Sequence, residues 1–214
     1  MPDYLVECGI LNLWFAGLNI AGGGPDPQVA QIAESRKKTS LLLMSAISRG
    51  ELEYGHALAA GPAGTRQALV KFLDALPAPI AVTHHTAAIY GVLRARLADQ
   101  FPPVNGWKTN KKRRSEQLYD PLAGRELGID ENDLWIASQA IELGLILVTN
   151  DKMTRIKAVA AKCAKNEFGL DFLHENWKTA QGALPPGAGA TPPTASPPPS
   201  GQSPPSSSGT ASPP

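Results

Sequence analysis

Cysteine is nearly missing from this 214-residue chain: its two residues, Cys8 and Cys163, stand far apart and without metal-ligand spacing. That excludes a disulfide framework or a zinc cluster and fits a reducing, cytoplasmic setting. Long apolar runs are missing too. No stretch approaches the roughly 18 residues a membrane-spanning helix needs. The N-terminus has no basic flank followed by an apolar run and a small-residue cleavage site, so no signal peptide is expected. Neither sign of charge is in excess: 20 Lys and Arg against 19 Asp and Glu leave +1. The overall balance therefore points to neither nucleic acid nor membrane, and any such signal must be local. After Lys178 charge is absent altogether, and eleven of the 20 prolines fall in that last stretch. So little apolar surface does not offset the entropy of ordering a chain, which predicts a disordered Pro/Ser/Gly-rich tail over residues 181–214. The folded unit is then residues 1–180, enough for one well-packed domain.

Within that unit, apolar runs alternate with helical patterns. Tyr4–Glu7 reads as a short buried strand. Asp26 and Pro27 start a helix that reaches about Lys38. Leu41–Ser45 is a second strand, running into a helix over about Ile47–Ala59. Thr65–Leu76 is helical with Leu69, Phe72, Leu73 and Leu76 on one stripe. Pro79–Val82 reads as a strand, and Thr83 caps a helix reaching Asp99 with Ile89, Leu93 and Leu97 inward. Asp130–Gly144 is a helix closed by its glycine. Leu145–Thr149 is the clearest strand, followed by a helix over about Lys152–Lys165 and a last strand, Leu170–Leu173. Strands separated by helices of this length indicate right-handed crossovers and a mainly parallel sheet. The predicted architecture is a three-layer α/β/α sandwich with a sheet of about five strands. The polar, basic segment from Phe101 to Leu127 departs from the pattern and is placed as a surface loop or insertion.

Four carboxylates occupy informative places. Glu7 ends the first strand, and Asp151 lies just past the strand at Leu145–Thr149. Ligands of open parallel sheets bind at that carboxyl edge; a solvated strand end is the plainer reading of either acid. Glu51 shares a helical stripe with Ile47, Tyr54, Gly55 and Leu58, which should face the sheet, whereas Glu53 faces solvent. An inward Glu needs a cation, a proton or a buried Arg. Asp133 shares a face with Ala137, Ala140 and Gly144, although an acid in the first helical turn also favours the helix dipole. Taken together, four carboxylates at one mouth suit a hard divalent cation, and a pair of such ions about 4 Å apart can clamp both oxygens of a phosphodiester displacement.

These residues sit in stretches that resemble a known family. YLVECGIL from Tyr4, SAISRGELEYG from Ser45, NDLWIASQAIELG from Asn132, LVTND from Leu147 and GLDFLHENW from Gly169 are similar, in that order, to PIN-domain ribonucleases, particularly VapC-type toxins of bacterial toxin–antitoxin pairs. The likeness covers nearly all of residues 1–180. It implies that Glu7, Glu51, Asp133 and Asp151 are the metal-holding catalytic acids, with Thr149 beside them. It implies Mg2+ or Mn2+ as cofactor, cleavage of RNA by a metal-activated water, a homodimer, and a neutralising antitoxin as partner. The chain departs from the family at Glu7, where Asp is usual, and at Gly9, where Asn is usual. Glu keeps the charge but moves the carboxylate outward by one methylene, about 1.5 Å, in a site whose groups need placing within about 0.5 Å. The alternative is thus a PIN-like protein that binds RNA or an antitoxin without cutting. A second alternative, a phosphohydrolase, lacks support because no Asp-x-Asp motif ends the first strand.

Other signals are weaker. Lys108, Lys111, Lys112, Arg113 and Arg114, with Trp107 for stacking, could meet RNA phosphates, or be a solvated loop. His84 and His85 fit a helix start better than a metal site. Gly22, Gly23 and Gly24 lack the Lys-Ser/Thr of a phosphate loop. Cys8 reads as a small residue near the site, not a nucleophile.

Overall fold

Strand alternation explains the layers. In a computed structural model that describes residues 2–19, 27–59, 63–101, 118–120, 122, 124–150 and 153–179, β1 (Tyr4–Val6) pairs in parallel with β2 (Leu42–Met44) on one side and β5 (Ile146–Val148) on the other, and β6 (Leu173–Glu175) completes the order β2-β1-β5-β6. Successive side chains point to opposite faces. Leu5 and Leu147 therefore enter one core, with Leu93, Leu97, Leu134, Ala137 and Ile156. Tyr4, Val6, Leu42, Met44 and Val148 enter the other, with Trp14, Ala33, Leu52 and Leu73. A parallel sheet covered on both faces needs near-continuous apolar strands, which YLV, LLM and ILV supply.

The first core belongs to α5 (His84–Gln100), α6 (Glu131–Leu143) and α7 (Thr154–Cys163). The second belongs to α1 (Cys8–Asn19), α2 (Pro27–Arg36), α3 (Ala46–Leu58) and α4 (Ala63–Asp74). The expected helix ends are where the chain places them. Thr83 caps α5 through the backbone N–H groups of His85 and Thr86, and Asp130 caps α6 with Asp133 reciprocating. Gly144 closes α6 at φ 63°, a left-handed conformation that glycine adopts without a Cβ penalty. Among the described residues no helix is long and apolar enough to cross a membrane.

Several expectations change. Among the described residues the parallel sheet has four strands, with Ile80 at its edge instead of a fifth. Ile80 makes only an isolated bridge to Ser45, giving its N–H to the Met44 carbonyl and accepting the Ala46 N–H, both at 2.9 Å, while the Gln139 amide donates to the carbonyls of Ile80 and Ala81 at 3.2 and 3.1 Å. Cys8–Asn19, left without an element by the sequence pattern, is helix α1. The last strand starts at Leu173 rather than Leu170. After α7 the chain makes a π-helical turn over Ala164–Phe168, closed by a Leu170 N–H to Ala164 carbonyl bond of 2.9 Å, and only then extends. The segment expected to be a loop up to Leu127 ends in a small antiparallel hairpin, β3 (Tyr119–Asp120) with β4 (Arg125–Glu126), and Leu118 is buried in the first core.

The largest correction concerns α3. The stripe of Ile47, Glu51, Tyr54, Gly55 and Leu58 does not face the sheet: Tyr54 is 66% and Leu58 67% exposed, while Ser48 and Leu52 are the buried positions. The contacts of α3 are with α1, α4 and α6, so the packed face is rolled about 100° from the apolar stripe, one residue's turn. Replacing Leu52 by Ala is expected to cost about 2–5 kcal/mol in urea unfolding. Tyr54→Ala is expected to stay within about 0.5 kcal/mol of the parent. The reverse ranking would mean that the stripe, not Leu52, is the packed face.

Candidate functional site

All strands of the sheet run the same way, so their carboxyl ends share one edge, and Glu7, Ser45 and Thr149 follow β1, β2 and β5 there. Glu7 is 7% exposed. Its N–H donates to the Val148 carbonyl at 3.0 Å, which ties it to β5. Its carboxylate turns back onto the start of α1, where Oε1 accepts the Gly9 N–H at 2.9 Å and the Cys8 thiol at 3.0 Å. Glu7 thus caps α1, a role usually taken by Ser, Thr, Asp or Asn. Its second oxygen, Oε2, is buried and has no hydrogen-bond partner among the described residues.

Glu51 stands on α3 at the border of the buried face and is half-buried. The sequence allowed a buried Arg as its partner; the partner is instead the Asn132 amide, which donates to Oε1 at 2.7 Å. Asn132 was not singled out by sequence reasoning, and the only available signal was its place beside Asp133. Glu53 is the solvated Glu expected, paired with Arg49 at 2.8 Å. Asp133 is half-buried in the first turn of α6, above buried Ala137 and Ala140, and its Oδ2 accepts the Asp130 N–H at 3.2 Å. Thr149 is fully buried, and its N–H donates to the Glu175 carbonyl at 3.1 Å.

Cys8 sits between the first two acids. Burial first, then the charges and hydrogen bonds of Glu7 and Glu51, holds its thiol well above the usual range, so it stays a neutral thiol. Glu7, Cys8, Glu51 and Asn132 form one chain of contacts linking β1, α1, α3 and α6. Beside it lies a cavity of about 340 Å³, lined by Cys8, Gly9, Asn12, Glu51 and His56 among others. A larger depression of about 580 Å³ between α5 and α7 touches none of these acids, and its Arg96 and Glu167 pair with each other.

Asp151 lies outside the described residues, as do Asp26, Gly22, Gly23, Gly24, Trp107, Lys108, Lys111, Lys112, Arg113 and Arg114. Among the described residues no three His, Cys, Asp or Glu side chains close into a metal-ligand set. The donor chemistry still fits a hard cation: the acids offer only oxygen, and one buried oxygen of Glu7 is unanswered. His84 and His85 are exposed at the start of α5, their ring centroids 3.8 Å apart and their planes tilted by 40°. There Thr83 donates to Glu142 at 2.7 Å, near the end of α6 and nine residues, about 13.5 Å, along the helix from Asp133.

The PIN domain family model matches residues 18–162, a span that takes in Glu51, Asp133 and Asp151 and begins after Glu7. Among solved structures, a chain of VapBC2 from Rickettsia felis bound to a DNA fragment from their promoter is 22% identical, with a TM-score of 0.53 over 82% of this chain and 98% of that one. A chain of FitAB bound to an IR36 DNA fragment is 16% identical, with a TM-score of 0.52 over 85% and 99%. No curated protein matches in sequence. The structural likeness is one of fold; the family model covers more than half of the chain, and the chain belongs to the PIN domain family.

Proposed function

We propose that this chain is a divalent-metal-dependent endoribonuclease, the toxin of a toxin–antitoxin pair. The observation that carries the reading is the Oε2 of Glu7 at the carboxyl edge of the sheet, buried and without a hydrogen-bond partner among the described residues. An ionised group so placed is costly unless a cation answers it. PIN domains are generally nucleases and typically need a divalent metal. Glu7, Glu51, Asp133 and, by its place in the sequence, Asp151 would hold Mg2+ or Mn2+.

A bound ion of this kind supplies positive charge to a phosphoryl oxygen and lowers the pKa of water. The protein's part is to hold the acids. The Gly9 N–H and the Cys8 thiol fix one oxygen of Glu7 and leave the other turned away. The Asn132 amide fixes Glu51, and the cap of α6 fixes Asp133. Held as anions without a cation, these groups would repel a phosphodiester, so catalysis and substrate binding both depend on the metal. The proposed reaction is hydrolysis, with water rather than a side chain of the protein as the nucleophile. The two complexes of like fold are toxin–antitoxin complexes, which supports an antitoxin partner; a homodimer is the proposed assembly of the toxin itself. The basic run from Lys108 to Arg114 is the proposed RNA contact.

The purified full chain is expected to cleave RNA with Mg2+ or Mn2+ and not with EDTA, and Asp133→Asn is expected to lower the rate at least about a hundredfold. Cleavage by Glu7→Asp but not by the parent would identify a version disabled at its first acid, able to bind RNA or antitoxin only. Silence of both would refute the nuclease. Asn132→Ala frees Glu51 from its amide; cleavage about tenfold slower in single-turnover kinetics is the expected result, and an unaltered rate would show that Glu51 needs no orienting partner.

A further inference from the structure

Gly9 is placed in the first turn of α1, where a negative φ imposes no demand for glycine. Space does. A Cβ built on Gly9 would lie 2.7 Å from Oδ1 of Asn150 and 3.2 Å from Oε2 of Glu7. Oxygens that follow β1 and β5 therefore both border the space that a side chain at position 9 would fill. Both are acceptors. The oxygen on Glu7 is buried and has no partner among the described residues, so it calls for a donor or a cation, and the Asn150 oxygen borders the same space.

We propose that Asn150 is a further member of the cation site: its Oδ1 is a neutral oxygen donor beside Oε2 of Glu7, and Gly9 is the vacancy that admits it. The proposal rests on the metal-dependent reading given above and deepens it. Amide oxygens are ordinary donors to hard cations and add no charge to a site already rich in carboxylates. Gly9 and Asn150 then act as one unit. A methyl group at position 9 would turn the Asn150 amide away, because the atom it meets first is the far end of a rotatable side chain.

The test is Mn2+ binding by the full-length chain, followed by calorimetry, with the melting temperature measured on each variant. The parent is expected to bind Mn2+. Asn150→Ala and Gly9→Ala should each weaken binding about ten- to hundredfold, and the double variant no further than either alone, since both remove the same oxygen. Asn150→Asp, which keeps an oxygen in place, should bind at least as tightly as the parent. Melting temperatures should not follow this order, because Ala within a helix is favoured over Gly and the amide can rotate freely. Parental affinity in Asn150→Ala, or additive losses in the double variant, would overturn the role of Asn150 and leave the metal reading standing. A parent chain that binds no Mn2+ would overturn both.

Discussion

Strand β1 hydrogen-bonds in parallel to β2 on one side and to β5 on the other, and no part of the chain could be arranged as it is without that pairing. A parallel strand between two others has no exposed face and no exposed edge, so each of its three side chains must enter a core. Leu5 goes one way; Tyr4 and Val6 go the other. The helices sort into two layers behind those choices. Parallel pairing also decides where chemistry can happen, because it gathers the carboxyl ends of separate strands along one edge. Glu7 and Asn150, more than 140 residues apart in sequence, become neighbours over Gly9 for that reason alone.

At that edge, burial and charge oppose each other. Glu7 closes the first turn of α1 with one carboxylate oxygen and buries the other. The capping bond stabilises the helix by about 1 kcal/mol. Leaving the second oxygen dry costs on the order of 1–3 kcal/mol or more for a charged group, so the two effects do not cancel in the protein's favour. A site in which local stability is given up is the kind expected to bind something. Around it, Asn132 and the cap of α6 hold Glu51 and Asp133 through neutral donors.

Much of the fold was legible along the chain. β1, β2 and β5 are apolar runs, α5 and α6 announce their caps, and Ile89, Leu93 and Leu97 repeat at helical spacing. What escaped did so for identifiable reasons. Helix α1 has a Glu for a cap and the run CGILNLWFAGLN, apolar nearly all round, so no stripe marks it. The π-helical turn shifts β6 by three residues with no sequence signature. Glu51 was reached by a stripe that holds only at Ile47, which packs against the first core; Tyr54 and Leu58 face outward, and Glu51 borders the site beside Leu52, the residue that packs.

By itself the sequence determined the alternation of strands and helices, and so the α/β class, since hydrophobic period and cap chemistry are local properties. It also determined which acids stand at strand ends and helix starts. Only the tertiary structure decided which face of α3 is buried, that Ile80 bridges without becoming a strand, that Asn132 holds Glu51, and that Asn150 fills the space left by Gly9. Each of these depends on how distant segments compete for the same volume or the same hydrogen bond, and such competition is settled by packing at near-crystalline density rather than by anything a short window of residues encodes.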